Sequence, residues 1–224
     1  MRAPLFAFAV ALVASVVLRA PASAAPAANG WKIYSYNASG QALRTNVAAT
    51  DSGIAGFDFL DTADDALLAT DQPSANAVVL GDLTGKTISA TFHIDATADA
   101  TFTYYGEGTP DNSCASPASV RLYFQTKATG AFDPKRYWWS NPAHVDLRGG
   151  AGAVSAPLTP GQWSDWDGHE NTDAADGDHL TAFANAVKDV TLVGLSFGGG
   201  CFFENGVGMK TGTASFHLDT FAAN

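Results

Sequence analysis

Thr87-Ile88-Ser89-Ala90-Thr91-Phe92-His93-Ile94 decides the fold. Ile88, Ala90, Phe92 and Ile94 occupy every second position, and polar residues fill most of the positions between. Side chains alternate between the two faces of a strand, so this pattern describes a ribbon with one greasy face. The same period recurs on both sides of it. Trp31-Lys32-Ile33-Tyr34-Ser35-Tyr36 alternates, as do Ala100 to Tyr105, Ser119 to Thr126 and Ala214 to Phe221. Asp189 to Phe197 carries apolar residues on both faces, which predicts a central strand. Phe57 with Phe59, Ala77 to Leu80, and Val154 to Leu158 predict shorter strands.

Turn clusters separate these runs: Gly106 to Asn112, Thr129-Gly130 and Arg148 to Gly152. Many short strands joined by Gly-rich turns predict an all-β, single-domain antiparallel sandwich of the jelly-roll kind. One helix is expected from His179 to Lys188. Leu180, Phe183, Ala184 and Val187 fall at helical spacing there, and Asp178 stands where a cap is needed.

The N-terminus speaks to compartment. Met1-Arg2 is followed by an apolar run from Leu5 to Leu18 and by Ala22-Ser23-Ala24. This is the layout of a secretory signal over 1–24, cleaved after Ala24. Residues 25–30 then read as a flexible leader and 31–224 as the β-sandwich domain. The expected location is secreted, with no membrane contact after cleavage. The rival reading is an uncleaved anchor, which Arg19 and Pro21 disfavour.

Charge narrows the partners. The chain holds 22 acidic and 12 basic residues, a formal charge of −10. Loss of Arg2 and Arg19 with the signal takes this to −12. Phosphate backbones and anionic lipids both want Lys and Arg, so nucleic acid and acidic membranes are excluded as expected partners. The two cysteines, Cys114 and Cys201, are expected to form a disulfide in an oxidising compartment.

Motifs for catalysis are absent: no Gly-x-Ser-x-Gly, no phosphate loop, no paired metal spacing of His or Cys. The run Gly198-Gly199-Gly200 reads as a close backbone approach or bulge beside Cys201. No cofactor is expected, save a structural calcium. Acidic clusters stand at Asp61, Asp64, Asp65 and Asp71, and at Asp165, Asp167, Asp173, Asp176 and Asp178. Both read first as solvated loops. Calcium takes carboxylates in such loops, and Asp173, Asp176 and Asp178 are its best ligands here.

The aromatics carry the functional expectation. Tyr137-Trp138-Trp139 and Trp163-x-x-Trp166 hold four of the five tryptophans. Adjacent Trp138 and Trp139 on a strand must face opposite sides. One can anchor the core while the other meets solvent or a sugar ring. The expected ligand-binding set is therefore Tyr137, Trp138, Trp139, Trp163 and Trp166. Two further readings stand beside it. One is a structural or surface-interaction protein without a small ligand. The other is a glycan hydrolase or lyase using Glu170, Asp167 or Glu204.

Four stretches carry a resemblance in layout: Arg121-Leu122-Tyr123-Phe124-Gln125, Tyr137-Trp138-Trp139-Ser140, Val190 to Phe197 before its glycine turn, and the final Phe216 to Phe221. Together they resemble galactose-binding-like jelly-roll carbohydrate-binding modules. The resemblance implies a non-catalytic protein that holds a glycan or cell-wall polysaccharide. Tyr-Trp-Trp-Ser with Phe197-Gly-Gly-Gly-Cys201-Phe-Phe is also similar to uncharacterised exported bacterial proteins, which adds no activity.

Overall fold

The structure, a computed structural model, describes residues 26–36, 42–47, 54–72, 79–114, 116–127, 131–172 and 178–224. The signal reading over 1–24 lies outside them. So do Asp173 and Asp176, and part of the short run from Ala77 to Leu80.

Two antiparallel sheets form a sandwich. The larger has ten strands along the order β11-β8-β7-β12-β4-β1-β2. These are β11 (Trp163–Ser164), β8 (Tyr137–Ser140), β7 (Ser119–Thr126), β12 (Val190–Gly198), β4 (Asp65–Thr70), β1 (Trp31–Tyr36) and β2 (Ala42–Val47). Off that path, β13 (Val207–Thr211) pairs with β4 and with β6 (Thr101–Tyr104), and β9 (Val145–Asp146) pairs with β7. The smaller sheet runs β10 (Gly150–Pro157), β5 (Thr87–Ala96), β14 (Ala214–Ala223), β3 (Gly56–Asp58). The one α-helix among the described residues, α1, spans His179–Ala186. None of the described helices is long and apolar enough to cross a membrane.

The alternation of β5 has the consequence expected of it. Ile88, Ala90, Phe92 and Ile94 are all buried, and Phe92 stacks on Phe216 with ring centroids 5.0 Å apart. Phe216 meets Phe197 of the facing sheet at 5.3 Å, and Trp31 meets Phe221 at 5.3 Å. Each such ring removes apolar surface from water at roughly 25 cal/mol per Å², and this burial holds the two sheets together. The strand read as central, β12, is indeed flanked by β7 and β4.

The sequence reading does not predict β2, β9, β11 or β13, and three further stretches differ from it. β4 contains Asp65, which was placed in an acidic loop. The residue is fully buried, and Ser35 Oγ donates to its carboxylate at 2.8 Å. All six positions of β4 are buried, so it shows no polar–apolar alternation. β10 begins at Gly150, inside a supposed turn, because small residues let it lie flat against β5 from Gly150 opposite Ile94 onward. Residues 26–30, read as a leader, are tied down: Ala27 bridges Ile54, and Ala55 N donates to Pro26 O at 2.8 Å.

The Cys114–Cys201 disulfide is present, with Cα atoms 5.0 Å apart. It pins the loop that follows the glycine run. Gly198 and Gly200 make that loop possible. A Cβ on Gly198 would lie 2.6 Å from the Phe203 backbone, and Gly200 holds φ +63° against the Asn112 amide. The close approach expected of the triplet is therefore its role.

Candidate functional site

The two tryptophans of β8 do face opposite ways. Trp138 enters the main core, where Phe124 and Phe183 pack on it with centroids 6.4 and 5.1 Å away. Trp139 points to the outer face of the large sheet. There it joins Leu67, Ala69 and Tyr123 in a second, smaller cluster. That face is not left open to water. The loop 201–205 folds down over it, so Trp139 is buried too.

The covering loop is held by named bonds. The Trp139 indole N–H donates to Ser196 Oγ at 3.0 Å, and that hydroxyl donates to the Phe203 carbonyl at 2.7 Å. Asn205 accepts from Gly199 N at 2.9 Å and donates to Tyr105 O at 2.8 Å. Cys201 N donates to Asn112 Oδ1 at 2.6 Å. Beneath Phe203 lies the Arg121 guanidinium, 3.9 Å from the ring centroid, donating to Ser140 O at 2.9 Å. Burial draws the Arg121 pKa down to about 10. The guanidinium stays charged, and the aromatic face supplies part of the stabilisation water would otherwise give.

A second turn faces this loop. Asp165 Oδ1 accepts from the backbone N–H groups of Asp167 and His169, each at 3.1 Å, and Gly168 completes the reversal at φ +80°. The turn throws Trp166 outward. Its ring is 50% exposed, yet it leans on Trp139 at 5.7 Å, Tyr137 at 5.6 Å and Phe132 at 5.4 Å.

Between the turn and the loop lies a pocket of about 260 Å³. Trp139, Trp166 and Phe202 supply apolar wall, while Asp165, Asp167 and Glu204 bring carboxyls. Glu204 is the unusual member. The residue as a whole is partly exposed, but its Oε2 is buried and has no hydrogen-bond partner among the described residues. Burial pushes its carboxyl up to about 8. The nearby Trp139 N–H, whose hydrogen bond goes to Ser196, opposes this only in part. At neutral pH Glu204 is thus a protonated acid that can both donate and accept.

The sequence-predicted residues divide. Trp166 and Trp139 line the pocket, Tyr137 buttresses Trp166, and Trp138 and Trp163 are core residues with no exposed surface. Trp163 gives its N–H to Pro157 O at 2.9 Å. Of the acids weighed, Asp167 and Glu204 share the pocket, whereas Glu170 pairs with Ser164 in a backbone bridge away from its lining. Asp178, expected both as a helix cap and as a calcium ligand, caps α1 by accepting from Thr181 N at 2.8 Å. Hydrogen bonding from the Thr181 hydroxyl, and then from its backbone N–H, holds the Asp178 carboxyl below the ordinary range.

Sequence reasoning missed Phe132, Phe202 and Asn205. Phe202 could have been found as an apolar residue in a disulfide-pinned turn, since nothing in the strand pattern requires it there. No protein-family model matches the chain, and no curated protein and no solved structure matches it either.

Proposed function

We propose that this pocket binds a saccharide unit presented by a glycan or cell-wall polysaccharide. One observation carries the reading: the half-exposed Trp166 ring stands at the rim of a pocket that also holds the Glu204 carboxyl. A sugar ring has an apolar C–H face and an edge of hydroxyls. The flat indole suits the first, and carboxyls that donate or accept suit the second. The volume is below the roughly 300–1,000 Å³ of sites for drug-sized ligands, which fits a single ring-sized unit. The negative charge of the chain favours neutral or cationic glycans over acidic ones. Tyr137 and Phe132 hold Trp166 in place, so little side-chain freedom is lost when a ligand stacks on it.

The test is retention on a panel of immobilised glycans and soluble polysaccharides, with Trp166→Ala and Glu204→Gln alongside the parent. Retention that Trp166→Ala abolishes supports the reading. Absence of retention on every glycan removes it.

A second reading has its own observation. Asp167 and Glu204 face one cavity, and Glu204 has the elevated value of a general acid. Hydrolysis of aryl glycosides or release of reducing ends, lost in Glu204→Gln and fading above about pH 8 as the acid ionises, distinguishes a hydrolase from a binding protein.

A further inference from the structure

Behind the pocket wall lies a cluster that shares only Asp165 with the pocket. His179 is the first residue of α1, and Phe183 stands one turn on, on the same helix face. Phe183 is driven into the core against Phe124 and Trp138, at 6.0 and 5.1 Å. His179 is carried inward with it and is only 2% exposed. There it meets the turn that begins at Asp165. Asp165 Oδ2 lies 3.0 Å from His179 Nδ1, and Asp165 Oδ1 lies 3.9 Å from His169 Nδ1. The two imidazoles lean together with centroids 4.8 Å apart.

We propose that Asp165, His169 and His179 form a binding site for a divalent transition-metal ion of the zinc class.

Three observations point there. Each residue can offer one ligand atom, and the three atoms lie within 4.8 Å of one another. Zinc bonds of about 2.0–2.2 Å place neighbouring ligand atoms on a tetrahedron about 3.3–3.6 Å apart. Asp165 Oδ2 stands 3.0 Å from His179 Nδ1, slightly inside that edge, and His169 Nδ1 lies 3.9 Å from the other oxygen of the same carboxylate, so a side-chain shift of His169 toward Oδ2 closes the site.

The second observation is electrostatic. Asp165 is buried, and among the described residues no lysine or arginine pairs with it. A buried carboxylate without a strong cation is unfavourable, and a dication is a direct remedy.

The third is orientation. The 3.0 Å approach of Asp165 Oδ2 to His179 is misaligned for a hydrogen bond. Asp165 Oδ2 and both ring nitrogens of His179 therefore lack a hydrogen-bond partner among the described residues although they are buried. Meanwhile Asp165 Oδ1 is held by two backbone N–H groups. This is the outer-shell support that aims a ligating carboxylate, leaving its other oxygen for the ion.

The donor set also selects the metal. Two imidazoles and one carboxylate suit zinc and its neighbours, whereas calcium and magnesium want oxygen throughout. Three protein ligands leave a coordination position for water or substrate, and Asp165 is shared between this cluster and the pocket lining.

A rival cluster stands on the outer face of the small sheet. His93 and His217 stack at 4.5 Å beside Asp95 and Asp219. It is more exposed, and His93 already bonds Asp219 at 2.7 Å. It serves as the control.

The experiment is calorimetric titration of Zn²⁺ into the chelator-treated protein, with Co²⁺ substitution read by its visible spectrum. The expected result is one tightly held ion per chain with a tetrahedral or five-coordinate cobalt spectrum. His179→Ala and, at the partly exposed position, His169→Gln should each weaken binding by at least roughly tenfold. His217→Ala should leave it unchanged. His169→Gln keeps the test valid should His179→Ala fail to fold. No Zn²⁺ binding by the parent chain overturns the proposal. So does binding that survives His169→Gln unchanged, or binding lost in His217→Ala instead. The proposal does not depend on the saccharide reading: Trp166→Ala should abolish glycan retention while leaving zinc affinity intact.

Discussion

Trp139 and Ser196 face each other across β8, β7 and β12 on the outer side of the large sheet, and the indole N–H of one ends on the hydroxyl of the other at 3.0 Å. The same hydroxyl reaches the Phe203 carbonyl at 2.7 Å. One small side chain thus joins the sheet to the loop that roofs the pocket. Ser196→Ala should lower stability by about 1–3 kcal/mol, because it orphans a buried donor and removes a donor from a loop carbonyl. Urea unfolding measures the loss. Faster proteolysis near Phe202 in the folded variant would show that the loop is the part released, and an unchanged midpoint would show that the link is idle.

Glu204 makes stability depend on pH in an identifiable direction. Its folded value of about 8 lies above the unfolded glutamate value of about 4.3, so the folded state binds the extra proton between them. The contribution is complete below the lower value, declines as pH rises through the window, and is gone above about 8. Glu204→Gln cannot ionise and escapes the decline. The variant should gain on the parent by on the order of 1–3 kcal/mol between about pH 5 and pH 8, once partial exposure of the residue is allowed for. Parallel thermal melts across that range test it; a constant difference would mean that Glu204 titrates normally.

Three of the four tryptophans in the two aromatic segments should separate cleanly on substitution. Trp138 and Trp163 are fully buried, so either one changed to Ala should cost about 3–5 kcal/mol. Trp166 is half exposed, and Trp166→Ala should cost roughly 1 kcal/mol while removing glycan retention. Denaturant midpoints beside retention assays give both readings. A Trp166 variant as unstable as a Trp163 variant would make Trp166 a core residue instead.

The disulfide spans 87 residues of chain and fixes the root of the roofing loop. Cys114→Ser with Cys201→Ser should lower stability by about 2–4 kcal/mol, mainly by freeing the unfolded chain. Below its melting transition the double variant should still show strand-type circular dichroism, because the paired sheets do not depend on the bond. It should also bind the glycan more weakly, because Phe202, Glu204 and Asn205 lose their anchor. Equal affinity in the two proteins would detach the bond from the site.

The sequence alone determined what depends on near neighbours. The period of two in Thr87 to Ile94 and in Ala214 to Phe221 predicts β5 and β14, because burial of one face is written residue by residue. Asp178 followed by a helical spacing predicts α1 and its cap for the same reason. Opposite faces for Trp138 and Trp139 follow from strand geometry. β4 stayed hidden because a strand covered on both faces shows no alternation, and its leading Asp65 imitates a loop. Only the tertiary structure decided that Trp139 is roofed while Trp166 is not, since the roof comes from a loop far along the chain. It alone brings Asp165, His169 and His179 together, because the turn and the helix meet only when Phe183 finds the core. No spacing in the chain records a contact made by packing.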